Sequence, residues 1–313
     1  MLTVLLATHN GAGTLPRVLQ AYTQLRVPAG GWRVVIVDNA STDSTPDLLA
    51  QFTPLLPLHA MQTNQRGKNI ALNLGLAQCQ GDLVVLTDDD AVPHADWLLA
   101  FQRVASEQPQ FDTFGGRIDA LWPDDNCPEW ILRLVNLGAT FAVTPDDMVA
   151  GPVVAARIWG PSMAIRNRVF ESGHRFDETV GPAAGQYVMG SEVEFTCRIE
   201  AAGHRAFHAP EAKVGHIIRS HQMAPPWIIG RAYRLGRHMF HQERGHISPD
   251  ISRFRGAPRW MWRRFVQERF RSVWGHLRAD FDTHFKADWE VSFLRGYLEE
   301  ARRHASTADP PLA

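Results

Sequence analysis

The sequence predicts an α/β fold, a mostly parallel sheet flanked by helices, with a helical C-terminal extension. Three observations lead there. Short apolar runs without polar alternation recur through the first 90 residues. Segments of helical period separate them. Polar clusters follow the apolar runs, at the strand ends where an open α/β sheet binds its ligand.

The elements follow in order. Leu2–Ala7 is an apolar run expected as a buried strand, and Thr14–Leu25 has helical spacing. Arg33–Val37 is a β-branched run, and Ser44–Phe52 reads as a helix with Ser44 at its cap. Gly67–Gln78 carries Ile70, Leu72, Leu74 and Leu76 in a helical context, and Asp82–Thr87 is the next strand. Runs buried on both faces and joined by helices imply parallel pairing. Phe114–Leu121 and Ile158–Ile165 read as further strands, with an irregular, Pro-rich stretch over 122–155 between them. Ser191–Ala202 reads as a helix that Gly203 stops. Pro225-Pro226 marks a boundary, and 226–243, 258–279 and 286–304 are expected as helices. The expected organisation is therefore one domain over 1–224, with halves 1–113 and 114–224, and a helical region over 225–313.

Composition narrows the class. The 313 residues are 45% hydrophobic and 21% charged, which suits a globular core and not a disordered chain. The net charge of −1 gives no global reason to expect nucleic acid. The charge is uneven: residues 225–313 hold 16 Lys+Arg against 10 Asp+Glu. Cys79, Cys127 and Cys197 form no C-x-x-C pair and are expected as reduced thiols of a cytoplasmic protein. There is no basic leader before the first strand and no 18-residue apolar run, so neither a signal peptide nor a membrane span is expected.

The chemistry sits after the strands. Asp88-Asp89-Asp90 ends a buried run, and three adjacent carboxylates repel one another unless a divalent cation relieves them. Continued strand alternation would place Asp88 and Asp90 on one face, suited to Mg²⁺ or Mn²⁺ shared with substrate phosphates, and would turn Asp89 away. Asp38 follows the second strand and can accept a nucleobase N–H; Ser41, Thr42 and Asp43 read as a turn and cap. Arg66 and Lys68 precede a helix start, where cations suit a phosphate. Glu192 opens a later helix, and its position alone leaves a dipole contact and a general base equally open. By spacing alone His216 reads as an ordinary core or surface histidine. Pro16 stands at the third glycine position of Gly11-x-Gly13, which argues against a nicotinamide dehydrogenase.

Taken together, these motifs resemble the family 2 glycosyltransferases of GT-A fold. The similarity runs from Leu2 to His216. It is carried by Thr8-His9-Asn10, Val37-Asp38-Asn39-Ala40-Ser41-Thr42-Asp43, Gly67-Lys68-Asn69-x-Ala71-x-Asn73-x-Gly75 and Leu86-Thr87-Asp88-Asp89-Asp90. In the second half it rests on Gly160-Pro161-Ser162-Met163-Ala164-Ile165-Arg166, Phe176-Asp177-Glu178, Gly190-Ser191-Glu192-Val193-Glu194 and Val214-Gly215-His216. The resemblance implies a nucleotide-diphosphate sugar donor bound by Thr8, Asp38, Arg66, Lys68, Asp88 and Asp89. It implies Mg²⁺ or Mn²⁺ at Asp88 and Asp90, with His216 closing on the metal. It implies an acceptor hydroxyl, on a glycan or a lipid-linked sugar, deprotonated by Glu192, with Glu194 as the second choice. Inversion at the anomeric carbon follows. Gly256 stands where the processive Gln-x-x-Arg-Trp pattern before Arg259-Trp260 needs glutamine, so single-sugar transfer is expected. Two alternatives are a non-catalytic module of the same fold and a sugar-phosphate nucleotidyltransferase.

Residues 253–271 add seven arginines, one acid and interleaved aromatics. Trp262, Phe265, Val266, Phe270, Val273, Trp274 and Leu277 fall at helical spacing as one apolar stripe. Either the stripe packs on the catalytic domain beneath solvated arginines, or 253–277 makes peripheral contact with an anionic membrane at its inner face.

Overall fold

The computed structural model describes residues 1–182, 188–245, 248 and 250–308. Residues 183–187, 246–247, 249 and 309–313 lie outside them. The described chain divides into two units. The first comprises 1–125, 137–182 and 191–218; the second comprises 126–136, 188–190 and the described residues of 219–308.

The first unit begins with β1 (Leu2–Thr8), α1 (Leu15–Tyr22), β2 (Trp32–Asn39), α2 (Thr45–Phe52), β3 (Leu58–Thr63), α3 (Lys68–Leu76) and β4 (Leu83–Leu86). β5 (Ala91–Pro93), α4 (Trp97–Glu107) and β6 (Thr113–Leu121) follow. α5 (Glu129–Leu134) belongs to the second unit. α6 (Leu137–Phe141), β7 (Gly151–Val153), β8 (Met163–Arg166), α7 (Asn167–Glu171), α8 (Ser191–Ala201) and β9 (Ala206–Ile217) complete the first. One sheet runs β3-β2-β1-β4-β8-β6-β9-β5, with β7 also on β9.

The four strands from β3 to β4 are parallel. Their side chains alternate between two cores. Val4, Leu6, Val34, Ile36 and Val85 enter one, and Leu5, Val35, Val37, Val84 and Leu86 enter the other. Burial on both faces explains why these strands read as unbroken apolar runs. Beyond β4 the sheet is mixed. β8 runs antiparallel to β4 and β6, while β6 and β9 are parallel. β3 is an edge strand of half-buried and exposed residues, LHAMQT, and gave no apolar run to recognise. The 158–165 strand is shorter than expected, because Gly160–Ser162 forms a 3₁₀ turn before β8.

Register fixes the ligand edge. Thr8 lies opposite Asp38 across the β1–β2 pair, so both strands end side by side. The acidic triplet departs from expectation. β4 stops at Leu86, and Asp88-Asp89-Asp90 forms a turn into β5. Strand alternation therefore does not govern which way the three carboxylates face.

The second unit contains α9 (Pro225–Glu243), the hairpin of β10 (Arg253–Phe254) and β11 (Ala257–Pro258), α10 (Arg259–Leu277) and α11 (Phe281–Ala308). The prolines opening α9 suit a helix start, where no intrahelical N–H partner is lost. The core joins Phe240, Met261, Leu294, Tyr297 and Leu298. α9 and α11 approach through glycine. A Cβ on Gly236 would lie 1.9 Å from the Phe293 carbonyl oxygen, and one on Gly296 would lie 2.0 Å from that of Tyr233. The buried Arg237–Glu300 pair, Nε to Oε2 at 2.7 Å, links the same two helices.

The expected single stripe of α10 is split. Trp262 and Phe265 pack against the unit's core, whereas Val266, Phe270, Val273, Trp274 and Leu277 are exposed. Phe265 turns toward the packed side, whereas Trp262 lies in line with the exposed set and is covered by the hairpin, its Nε1 donating to the Phe254 carbonyl at 2.9 Å.

Gly236→Ala and Gly296→Ala are expected to destabilise the protein by about 1–3 kcal/mol, the usual penalty for overpacking. Urea unfolding monitored by helical circular dichroism measures it.

Candidate active site

The loops after β1, β2 and β4 and the start of α8 bring most of the expected residues together. Thr8 is buried and its Oγ1 donates to Asp89 Oδ2 at 2.5 Å. Asp89 is thus tied to the β1 end. Asp38 is also buried. Its Oδ1 accepts the Ser41 N–H at 3.0 Å, while Oδ2 has no hydrogen-bond partner among the described residues. A buried carboxylate oxygen without a donor is costly, and a ligand N–H would satisfy it.

Asn39 positions the next loop. Its Nδ2 donates to the Gln65 carbonyl at 2.7 Å, and its Oδ1 accepts the Gly67 N–H at 2.9 Å. That clamp sets the start of α3 and directs Lys68 inward. The Lys68 Nζ donates to Asp88 Oδ1 at 2.5 Å and to Glu192 Oε1. Burial pushes the ammonium pKa down, but Asp88 and Glu192 outweigh it and hold the pKa well above the usual lysine range. Asp88 is displaced upward, chiefly by burial; Glu192 and Asp90 add repulsion and Lys68 offsets part of it.

Glu192 reaches this position because Gly160 leaves room. A Cβ at Gly160 would lie 2.8 Å from the Glu192 carboxyl carbon. Glu194 is engaged elsewhere, pairing with Arg198 Nε on its own helix at 2.8 Å. His216 arrives through the β5–β9 pairing, opposite Ala91. Its Nε2 faces Asp90 Oδ1 at 3.4 Å, and its Nδ1 donates to the Phe141 carbonyl at 2.7 Å. Burial lowers the imidazole pKa, but Asp90 more than compensates and raises it. In the neutral ring the committed Nδ1–H leaves the lone pair on Nε2. Arg66 stands apart: it is exposed and has no hydrogen bond or ion pair among the described residues.

The donor set fits a hard divalent cation. Two carboxylates, Asp88 and Asp90, stand beside an imidazole whose second nitrogen is fixed, and the carboxylates repel each other. They do not form a closed cage, since Lys68 engages Asp88. Mg²⁺ and Mn²⁺ sites of one or two carboxylates draw remaining ligands from water and substrate phosphate. His241, Glu300 and His304 in the second unit have donor atoms within 4.8 Å of one another. There the Arg237 guanidinium already neutralises Glu300.

A sequence model described as glycosyl transferase family 2 matches residues 3–137. Residues 3–137 form a family 2 glycosyltransferase domain. Glycosyltransferase AglE of Haloferax volcanii is 24% identical over 75% of this chain and 71% of its own length. A Methanococcus voltae enzyme is 21% identical over 70% of this chain and 67% of its own. It is named dolichyl N-acetyl-alpha-D-glucosaminyl phosphate 3-beta-D-2,3-diacetamido-2,3-dideoxy-beta-D-glucuronosyltransferase. Among solved structures, a Pyrobaculum calidifontis mannosyltransferase in complex with GDP-Man and Mn²⁺ aligns with a TM-score of 0.55. The alignment is 19% identical and covers 99% of this chain and 76% of that one. The fold of this glycosyltransferase is GT-A.

Two asparagines of the glycosyltransferase's Gly67–Gly75 motif, Asn69 and Asn73, hold the site together. Asn69 is buried; its Nδ2 donates to the Asp177 carbonyl at 2.6 Å and its Oδ1 accepts from Ser191 Oγ. Asn73 exchanges bonds with the Phe176 backbone, at 2.9 and 3.0 Å. Together they dock residues 176–182 and the head of α8 on α3, which steadies Glu192 opposite Lys68. Their spacing of four on one helix was the available signal.

Asn69→Ala leaves a carbonyl and a hydroxyl unpaired, each costing about 1–3 kcal/mol when buried. A matching stability loss and faster proteolysis within 176–182 are expected; denaturant titration and timed digestion read both.

Proposed function

We propose that this glycosyltransferase moves one sugar from a nucleotide-diphosphate sugar to a hydroxyl of a glycan or lipid-linked acceptor, inverting the anomeric centre. One observation carries the reading: the Lys68 ammonium joins Asp88, at the nucleotide-side strand ends, to Glu192, at the head of the acceptor-half helix. A diphosphate cation, a candidate metal-ligand carboxylate and a candidate base thus lie within reach of a single side chain. The dolichyl-phosphate sugar in the name of the Methanococcus relative supports a lipid-linked acceptor, and GDP-Man with Mn²⁺ in the mannosyltransferase supports a nucleotide sugar and a divalent cation.

Each residue then has a task. Asp38 receives a base N–H on its unpartnered Oδ2, and Thr8 and Asp89 shape the adjoining floor. Lys68 at the start of α3, with Arg66 exposed in the loop before it, meets the diphosphate. Asp88, Asp90 and His216 would hold Mg²⁺ or Mn²⁺, which when bound adds positive charge beside the leaving diphosphate. Glu192 takes the acceptor proton as the acceptor oxygen bonds to the anomeric carbon. The bond to the diphosphate breaks on the opposite face, and the electron pair leaves with the diphosphate. A single in-line displacement inverts the centre and needs no protein nucleophile.

Glu192→Gln keeps the shape and removes the proton acceptor. Transfer is expected to fall by about 10²–10⁴-fold, the usual contribution of a general base, with donor affinity retained. Glu194→Gln is expected to stay near normal. Steady-state turnover with donor titration decides between them; the reverse pattern would move the base to Glu194.

A further inference from the structure

We propose that the solvent-facing side of α10 is an interfacial helix that docks on an anionic lipid surface. The helix is packed along one side only, where Met261, Ser272 and Gly275 are buried. At 100° per residue, Val266, Phe270, Val273 and Leu277 fall on the opposite side, within about 60° of one another. They are 51%, 73%, 53% and 77% exposed, and Trp274 beside them is 58% exposed. A shallow groove of about 270 Å³ runs between Val266, Arg269, Phe270 and Val273. Large apolar side chains scattered singly need no explanation, but a continuous stripe along three turns marks an interaction surface.

The rim identifies the partner. Arg263 adjoins the stripe, and Arg269 and Arg278 flank it on either side. Neither Arg263 nor Arg269 has an ion-pair partner among the described residues, and Arg278 lies over the Trp274 ring at 5.6 Å. The helix has one acid, Glu268, which falls on the packed side. An apolar stripe between cationic flanks, with tryptophan at its edge, matches a surface of acyl chains beneath anionic headgroups. A second copy is disfavoured, because a twofold pairing of stripes would set these arginines against their own equivalents. A single-stranded nucleic acid would use the aromatic rings but leave Val266, Val273 and Leu277 without a base to stack on.

The test uses the full chain with vesicles of phosphatidylglycerol or of phosphatidylcholine, read by co-sedimentation across a salt series. Binding to phosphatidylglycerol alone, weakening with salt, is expected. Each arginine near such a surface is worth about 1 kcal/mol, so Arg263→Gln with Arg269→Gln should weaken binding about 30-fold. Phe270→Ser should weaken it about 10-fold or more, from the lost apolar burial. Both positions are exposed, and near-ultraviolet circular dichroism checks that the fold is kept. Four results would each overturn the proposal. They are absence of binding to phosphatidylglycerol, binding untouched by either variant, a dimer that Phe270→Ser dissolves without any vesicle binding, and retention only by a single-stranded oligonucleotide.

Discussion

Two carboxylates that share one ammonium define this molecule's centre. Asp88 and Glu192 are both bonded to the Lys68 Nζ. Their oxygens are therefore at most about 5 Å apart, and at an effective dielectric constant of 20 they would repel by roughly 3 kcal/mol without it. Asp88 comes from the turn after β4 and Glu192 from α8, residues more than a hundred positions apart. The sheet register, the Asn39 clamp and the Asn69–Asn73 docking each serve to keep those three groups in place. This excess of negative charge favours a cation beside the carboxylates. Lysine fills that need here, and a divalent ion brought with a diphosphate would relieve the same repulsion.

That constraint accounts for features that otherwise look unrelated. A side chain at Gly160 would displace the Glu192 carboxylate from its place beside Lys68. His216 is brought beside Asp90 by pairing of the short β5 with β9, with the Phe141 carbonyl fixing its tautomer. The buried Oδ2 of Asp38, without a hydrogen-bond partner among the described residues, lies at the end of a strand adjacent to Thr8, so this sheet edge presents both a satisfied and an unsatisfied acceptor.

Much of the fold was legible in the sequence, for a physical reason. Strands buried on both faces leave unbroken apolar runs, so β1, β2 and β4 announced themselves. β3 did not, because an edge strand of half-exposed residues has no such run. Asp88 and Asp90 were visible as strand-end acids, but their grouping by strand alternation failed where the chain turned after Leu86. The link from Lys68 to Glu192 could not be read at all, since spacing along the chain says nothing of a contact across it. The same limit applies to Gly236 and Gly296, which look like helix defects until α9 meets α11. Periodicity found the apolar residues of α10 but merged the packed set with the exposed one, because a helical period does not say which side is covered.

The most direct test of the centre is Mn²⁺ uptake, followed by electron paramagnetic resonance, with and without UDP and GDP. Tight Mn²⁺ binding that requires one of these nucleotides, weakened at least about tenfold in folded Asp88→Asn and Asp90→Asn, is expected. Uptake that ignores the nucleotide, or that survives both substitutions unchanged, would contradict it.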